Sequence, residues 1–188
     1  MKQEILFIIL NEYADWEGAF IAACLNAGVM PGSEVKYTPK VVAPTLDAVR
    51  SIGGFRTLPD YCFQTMPTDY AALVLIGGMQ WNSPEAEQAV PLVKDALQRG
   101  KIVGAICNAA SFMAKHGFLN NVKHTGNTIQ QLKLWGRTGV HQRSGLRREA
   151  GRQRPKYRHR QRYRTTGILP RTSLVTKSRY TGKYSCFL

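Results

Sequence analysis

The run Tyr70-Ala71-Ala72-Leu73-Val74-Leu75-Ile76 is apolar without a break and is closed by Gly77-Gly78. A half-exposed strand alternates, and an amphipathic helix spaces its apolar residues three and four apart. A short continuous run bounded by turn residues therefore marks a strand buried on both faces. Such strands belong to parallel sheets covered on each side by crossover helices.

The rest of residues 1–136 follows the same alternation. Gln3 to Leu10 reads as a first strand. Asp15 to Val29 reads as a helix, with Trp16, Phe20, Ala23, Cys24 and Ala27 at helical spacing and Gly28 as its stop. Glu34 to Ala43 is a second strand, and Ser51 to Pro59 a hairpin or extended excursion outside the core. Ser83-Pro84-Glu85 opens a helix that runs to Gly100, with Ser as cap, Pro at the first position and an acid in the first turn. Gly117 to Thr128 reads as a loop or short strand, and Ile129 to Trp135 begins another helix. The pattern predicts one α/β domain over residues 1–136 with a central, mostly parallel sheet.

Between Gly100 and Gly117 the strand-like run Lys101 to Ile106 passes into the helix-like run Asn108 to Ala114 with only Cys107 between them. This is the local shape of a nucleophile elbow. A tight strand-to-helix turn lifts one side chain above the sheet, aims the first free N–H groups of the helix at it, and favours a thiolate through the helix dipole. In open parallel sheets, ligands collect beyond the carboxyl ends of the strands. Three such ends carry chemistry here: Asp15-Trp16-Glu17, Gly77-Gly78 and Cys107.

A cysteine nucleophile needs a proton partner and a cradle for the oxyanion that it generates. Glu17 is the candidate partner, and the backbone N–H groups of Gly78 and Asn108 are the candidate cradle. Gly77 is a further candidate for the site. The plain alternatives are a solvated carboxylate in the first turn of a helix for Glu17 and an ordinary turn for Gly77-Gly78, and His116 reads as a helix C-terminal dipole partner. Cys24 and Cys62 read as packing residues. With Cys186, the four cysteines form no CxxC pair, so neither a zinc site nor a disulfide framework is read. No metal or cofactor is expected. The apolar run Ile5 to Leu10 is too short for a signal-peptide core or a membrane span, which predicts a cytoplasmic protein with no membrane partner.

The segments Asp15-Trp16-Glu17-Gly18, Asp69 to Gly78 and Gly104-Ala105-Ile106-Cys107-Asn108-Ala109 resemble the ThiJ/PfpI family. This is the class I glutamine-amidotransferase-like family of the parkinsonism-associated protein deglycase and of bacterial intracellular proteases and amidases. The resemblance runs from residue 2 to about 136. It implies a flavodoxin-like α/β sandwich with helices on both faces of the sheet, a homodimer, Cys107 as nucleophile, Glu17 as its partner and Gly78 as an oxyanion donor. Two positions depart from the family. Members that act as proteases carry a histidine directly after the cysteine, where this chain has Asn108, so peptidase activity is not expected. Deglycase-like members carry a histidine after the elbow helix at a position that aligns with Gly126; His124, two residues earlier, is the candidate this resemblance leaves, against a surface or hydrogen-bonded loop histidine.

Composition breaks sharply after this region. Residues 1–136 hold 11 Lys and Arg against 11 Asp and Glu, whereas residues 137–188 hold 15 against the single Glu149, which accounts for the whole formal charge of +14. Arginines from Arg143 to Arg164, interleaved with Tyr157 and Tyr163, have the composition of a nucleic-acid-binding tail. The tail shows no helical or alternating apolar period. Codons permitted for it, read one nucleotide out of phase, give YTNEAGYVEKQAVSD and NIVTANGTG from Val140 onward, and LEFCRELLLLLKADTPE from Thr166. These are two strand-like segments and an amphipathic helix similar to the family's C-terminus. The expectation is that residues from about 137 onward are a frameshift product, and that the missing elements leave apolar faces of the sheet uncovered. Nucleic acid is a partner only if the tail is genuine.

Three functional classes follow. The first is a cysteine-dependent hydrolase of deglycase, amidase or glyoxalase type acting on a small carbonyl or amide. The second is a redox-sensing or chaperone-like stress protein with an oxidisable Cys107. The third is a nucleic-acid-binding protein acting through the tail.

Overall fold

A computed structural model describes residues 2–28, 34–35, 37–120, 122 and 124, and residues 174–176 by their backbone. The elements are β1 (Gln3–Ile8), α1 (Asp15–Ala27), β2 (Tyr37–Ala43), β3 (Val49–Arg50), β4 (Arg56–Thr57), β5 (Tyr61–Cys62) and β6 (Ala72–Leu75). A 3-10 turn (Ala86–Gln88), α2 (Ala89–Gln98), β7 (Ile102–Ile106), α3 (Asn108–Lys115) and β8 (Leu174–Thr176) complete them. The main sheet has the order β5-β2-β1-β6-β7-β8, and every pairing in it is parallel. This is the α/β sandwich expected, with helices on both faces.

Strand β1 shows how one sequence serves two layers. Leu6, Ile8 and the following Leu10 join the cluster built with α2 and α3, while Ile5, Phe7 and Ile9 join the cluster that contains Leu25 of α1. Successive strand side chains point to opposite faces, so a strand covered on both must be apolar throughout.

The helices differ in detail from the sequence reading. The α1 face turned to the sheet carries Glu17, Ile21, Ala22 and Leu25, with Gly18 against Ile76. Phe20, expected inside, is 50% exposed, and Ala23 and Ala27 are exposed with it. The helix is apolar nearly all round, so apolar spacing alone did not fix its phase. The α-helix after Ser83 starts later than expected. Residues 83–88 form turns and a 3-10 segment in which Ala86 N–H donates to Ser83 Oγ at 3.3 Å, and α2 begins at Ala89. Pro91 explains the delay: it has no N–H and fits an α-helix only within the first turn.

Val49–Arg50 and Arg56–Thr57 pair antiparallel, so the excursion at 51–59 is a hairpin. Strand β2 starts at Tyr37 rather than Glu34. No strand is expected in the basic tail, yet Leu174–Thr176 pairs with Gly104–Ile106 along the edge of β7. Leu-Val-Thr is rich in β-branched residues, which fit a pleated edge. Val29, Gly126, the helix expected at 129–135, Cys186 and the rest of residues 137–188 lie outside the described residues.

Candidate active site

Cys107 sits between the last residue of β7 and the first of α3, with φ 56° and ψ −123°. A non-glycine residue at positive φ costs conformational energy and persists only where its surroundings impose it. Here β7 runs straight into α3, and Ala110 N–H closes the turn on Cys107 C=O at 3.0 Å. The elbow expected from sequence is therefore present. Glu12, at the end of the neighbouring β1 segment, is the other described non-glycine residue with positive φ, at 58°.

Glu17 arrives from the first turn of α1. It is 8% exposed, and its Oε2 accepts the Gly77 N–H at 2.8 Å. Burial pushes its carboxyl above its ordinary pKa, although hydrogen bonds with the Cys107 thiol and the Gly77 N–H pull the other way. The solvated carboxylate considered as the plain alternative is thus not what the fold builds.

Gly77 and Gly78 are required by close approach rather than by a turn. A Cβ on Gly77 would lie 2.2 Å from Glu17 Oε2 and 2.6 Å from Cys107 Cβ. One on Gly78 would lie 2.5 Å from Glu12 O and 2.7 Å from Tyr13 Cα. Three strand ends converge closely enough that only hydrogen fits between them. The Ala14 N–H donates to Gly77 C=O at 2.8 Å, and the Met79 N–H to Glu12 C=O at 3.0 Å. Among the described residues, the Gly78 N–H has no hydrogen-bond acceptor. The Asn108 side chain donates from Nδ2 to Gly78 C=O at 2.9 Å, fixing that peptide against α3.

Sequence reasoning passed over the supports. Trp81 is fully buried, donates from Nε1 to Ile76 C=O at 2.6 Å, and lies with its ring centroid 5.0 Å from that of Phe112 on α3. It locks the loop after β6 to the elbow helix. Asp15 Oδ2 accepts the Gly53 N–H at 2.8 Å and so ties the start of α1 to the hairpin. Burial raises the Asp15 pKa, but hydrogen bonds from Ser51, Gly53 and its own backbone outweigh this and leave it below its ordinary value. Tryptophan five residues after a buried strand and aspartate one residue into a helix were the available signals.

The remaining candidates lie as follows. His124 Nδ1 is 2.9 Å from Val122 O, and its Nε2 is buried without a hydrogen-bond partner among the described residues. His116 ends α3, with Nε2 3.2 Å from Glu87 Oε2. Burial lowers its pKa against the pull of Glu87, so the charged form that a dipole partner needs is disfavoured. Cys24 and Cys62 are half-buried and free of disulfides. Among the described residues, no helix is long and apolar enough to cross a membrane.

A parallel sandwich with a strained cysteine at a strand-to-helix elbow, beside a buried carboxyl and a glycine pair, defines a class of cysteine-bearing α/β proteins. The DJ-1/PfpI family model matches residues 3–144, and the chain belongs to that family. It is 40% identical over 128 residues to the uncharacterized protease YdeA of Bacillus subtilis, a match covering 68% of this chain and 60% of YdeA. The chain thus spans less than two thirds of the length of that relative. The DJ-1 superfamily protein Atu0886 of Agrobacterium tumefaciens superposes with a TM-score of 0.63 at 31% identity, covering 74% of this chain and 73% of Atu0886. A thiJ/pfpI family protein of Bacillus anthracis superposes with a TM-score of 0.63 at 26% identity, covering 74% and 69%.

Proposed function

We propose that this chain is a cysteine-dependent hydrolase of deglycase or amidase type acting on a small carbonyl or amide. The observation that carries the reading is the buried Glu17 carboxyl, hydrogen-bonded to the Gly77 N–H and to Cys107 on its strained elbow. In this mechanism Cys107 Sγ forms a bond to the carbonyl carbon, and the C=O π pair moves onto oxygen. The thiol proton passes to the Glu17 carboxylate, which returns it to the oxyanion of a carbonyl adduct or to the leaving amine of an amide; in the amide case a water then adds to the Cys107 thioester, releasing the carboxylic acid and restoring the thiol. The N–H groups of Gly78 and Asn108 stabilise the oxyanion. A carboxyl whose pKa is raised by burial suits both halves of that proton cycle. Protease naming among relatives does not extend to this reading, because Asn108 stands where a histidine is needed.

The test is turnover of a small 2-oxoaldehyde and of small amides by the full chain and by Cys107→Ala and Glu17→Gln. The reading expects complete loss for the first variant and a fall in kcat of about 100-fold or more for the second. Sulfinate formation at Cys107 under peroxide, with no turnover of either substrate class, would replace it with the redox-sensing alternative.

Two further elements belong to the proposal. The outward apolar face of α1 (Phe20, Ala23, Ala27) supports a homodimer, which sedimentation at micromolar concentration would detect. Residues from about 137 onward are proposed to be a frameshift product, supported by the charge break and the coherent out-of-phase reading. Sequencing the gene across codons 130–188 decides it: an intact frame would return nucleic acid to the partner list.

A further inference from the structure

Beside the glycine pair opens a cavity of about 530 Å3. Its floor is Asn11-Glu12, one wall is the hairpin strand from Arg50 to Ile52, and the other is Met79-Gln80. The cavity is lined by neighbours of Gly78, although Gly78, Asn108 and Cys107 do not line it themselves. Glu12 touches Gly78, and Met79 follows it in the chain, so Gly78 and Gln80 are about 7 Å apart at most.

Most polar groups lining the cavity are already committed. Asn11 Oδ1 accepts the Arg50 N–H at 3.1 Å, Ser51 Oγ accepts the Phe55 N–H at 2.9 Å, and Gln80 Nε2 donates to Glu12 Oε2 at 2.7 Å. The exception is the Arg50 guanidinium, which has no hydrogen bond or ion pair among the described residues. Its backbone is held by β3 pairing and by Asn11, while the side chain is exposed, with Nη2 3.7 Å from the position a Cβ on Gly54 would take, so the charge stands unneutralised beside the cavity that Arg50 lines. A guanidinium presents a planar fork of donors matched to a carboxylate. The walls, Ile52 and Met79, are apolar and exposed, which suits a small organic body rather than a bare ion.

We propose that Arg50 is a specificity-determining residue that holds the carboxylate of the substrate, so that the preferred substrates are carboxylate-bearing carbonyls or amides such as 2-oxo acids. This rests on the reading of Cys107 as the reacting group. Glu12 faces the same cavity and opposes an anion, and Gln80 moderates that opposition by donating to its carboxylate.

The experiment uses two thiol reagents of similar size, the anionic iodoacetate and the neutral iodoacetamide, on the full chain. In each, Cys107 Sγ bonds to the CH2 carbon as iodide leaves. Rates at Cys107 and, as an internal reference for the basic chain as a whole, at Cys62 are read by peptide mass spectrometry. The iodoacetate-to-iodoacetamide ratio should be higher at Cys107 than at Cys62. Arg50→Gln should lower the Cys107 ratio by about three- to ten-fold, Arg50→Lys should retain most of it, and Glu12→Gln should raise it. A Cys107 ratio unmoved by Arg50→Gln, or a fall shared equally by both reagents, overturns the proposal. Because alkylation needs no turnover, a charge-dependent ratio in a chain that turns over nothing would sink only the enzyme reading. Turnover with an Arg50-independent ratio would sink only this one.

Discussion

The two faces of the sheet are built to different ends. Under α2 and α3 lies a continuous apolar layer that includes Trp81, Phe112, Met113, Leu73, Leu75 and Val93, all essentially inaccessible. Under α1 the layer is thinner, and the helix spends an inward position on Glu17 instead of a hydrocarbon. A buried carboxyl contributes less to stability than an apolar side chain of its size would. The difference teaches that the α2/α3 face is the foundation, and that the α1 face is where stability is given up to bring Glu17 to Cys107.

That contrast can be broken from either side. The largest effect is expected on the foundation: Phe112→Ala should destabilise the fold by about 3–5 kcal/mol in denaturant unfolding, because it opens a cavity beneath Trp81. Gly77→Ala comes next. Its methyl would meet Glu17 Oε2, Cys107 Cβ and the Ile106 carbonyl, so a loss of about 1–3 kcal/mol with complete loss of Cys107 reactivity is expected.

Glu17→Gln should do the opposite to stability. The folded-state pKa of Glu17 is raised, so its contribution is fully present below the unfolded pKa and is lost as pH rises through the folded value. Glutamine keeps an acceptor for the Gly77 N–H without the charge. The variant should melt a few degrees higher than the parent at pH 8, and the gap should close as pH falls below the ordinary glutamate range. Asp15 has the reverse sign, since its pKa is lowered. Its contribution is present above the unfolded pKa and is lost as pH falls through the folded one, and Asp15→Asn should flatten that acid limb of the melting profile. The smallest effect belongs to the half-exposed Glu87, which meets Lys115 Nζ at 2.5 Å. Glu87→Gln should cost at most about 1 kcal/mol.

The foundation was legible in the sequence, and the site only partly. Strands β1, β6 and β7 and the elbow announce themselves because a strand buried on both faces must be apolar throughout, and because one residue separates β7 from α3. Glu17 and Gly77-Gly78 were named from their places after strands. That hydrogen alone fits between Glu17, Gly77 and Cys107 depends on distances no spacing rule carries. The phase of α1 was misread because Phe20 looks like a core residue and Glu17 does not. Strands β3 to β5 are two residues each, too short for any periodicity, so Arg50 and the cavity it lines were invisible until the hairpin was placed against Asn11 and Glu12.

The most direct test of the coupling between Glu17 and Cys107 is the pH profile of Cys107 alkylation by iodoacetamide, followed by mass spectrometry in the parent and in Glu17→Gln. Coupling predicts an inflection in the parent, above the ordinary glutamate range, that vanishes in the variant. Superimposable profiles would contradict it and leave Glu17 as a structural carboxyl only.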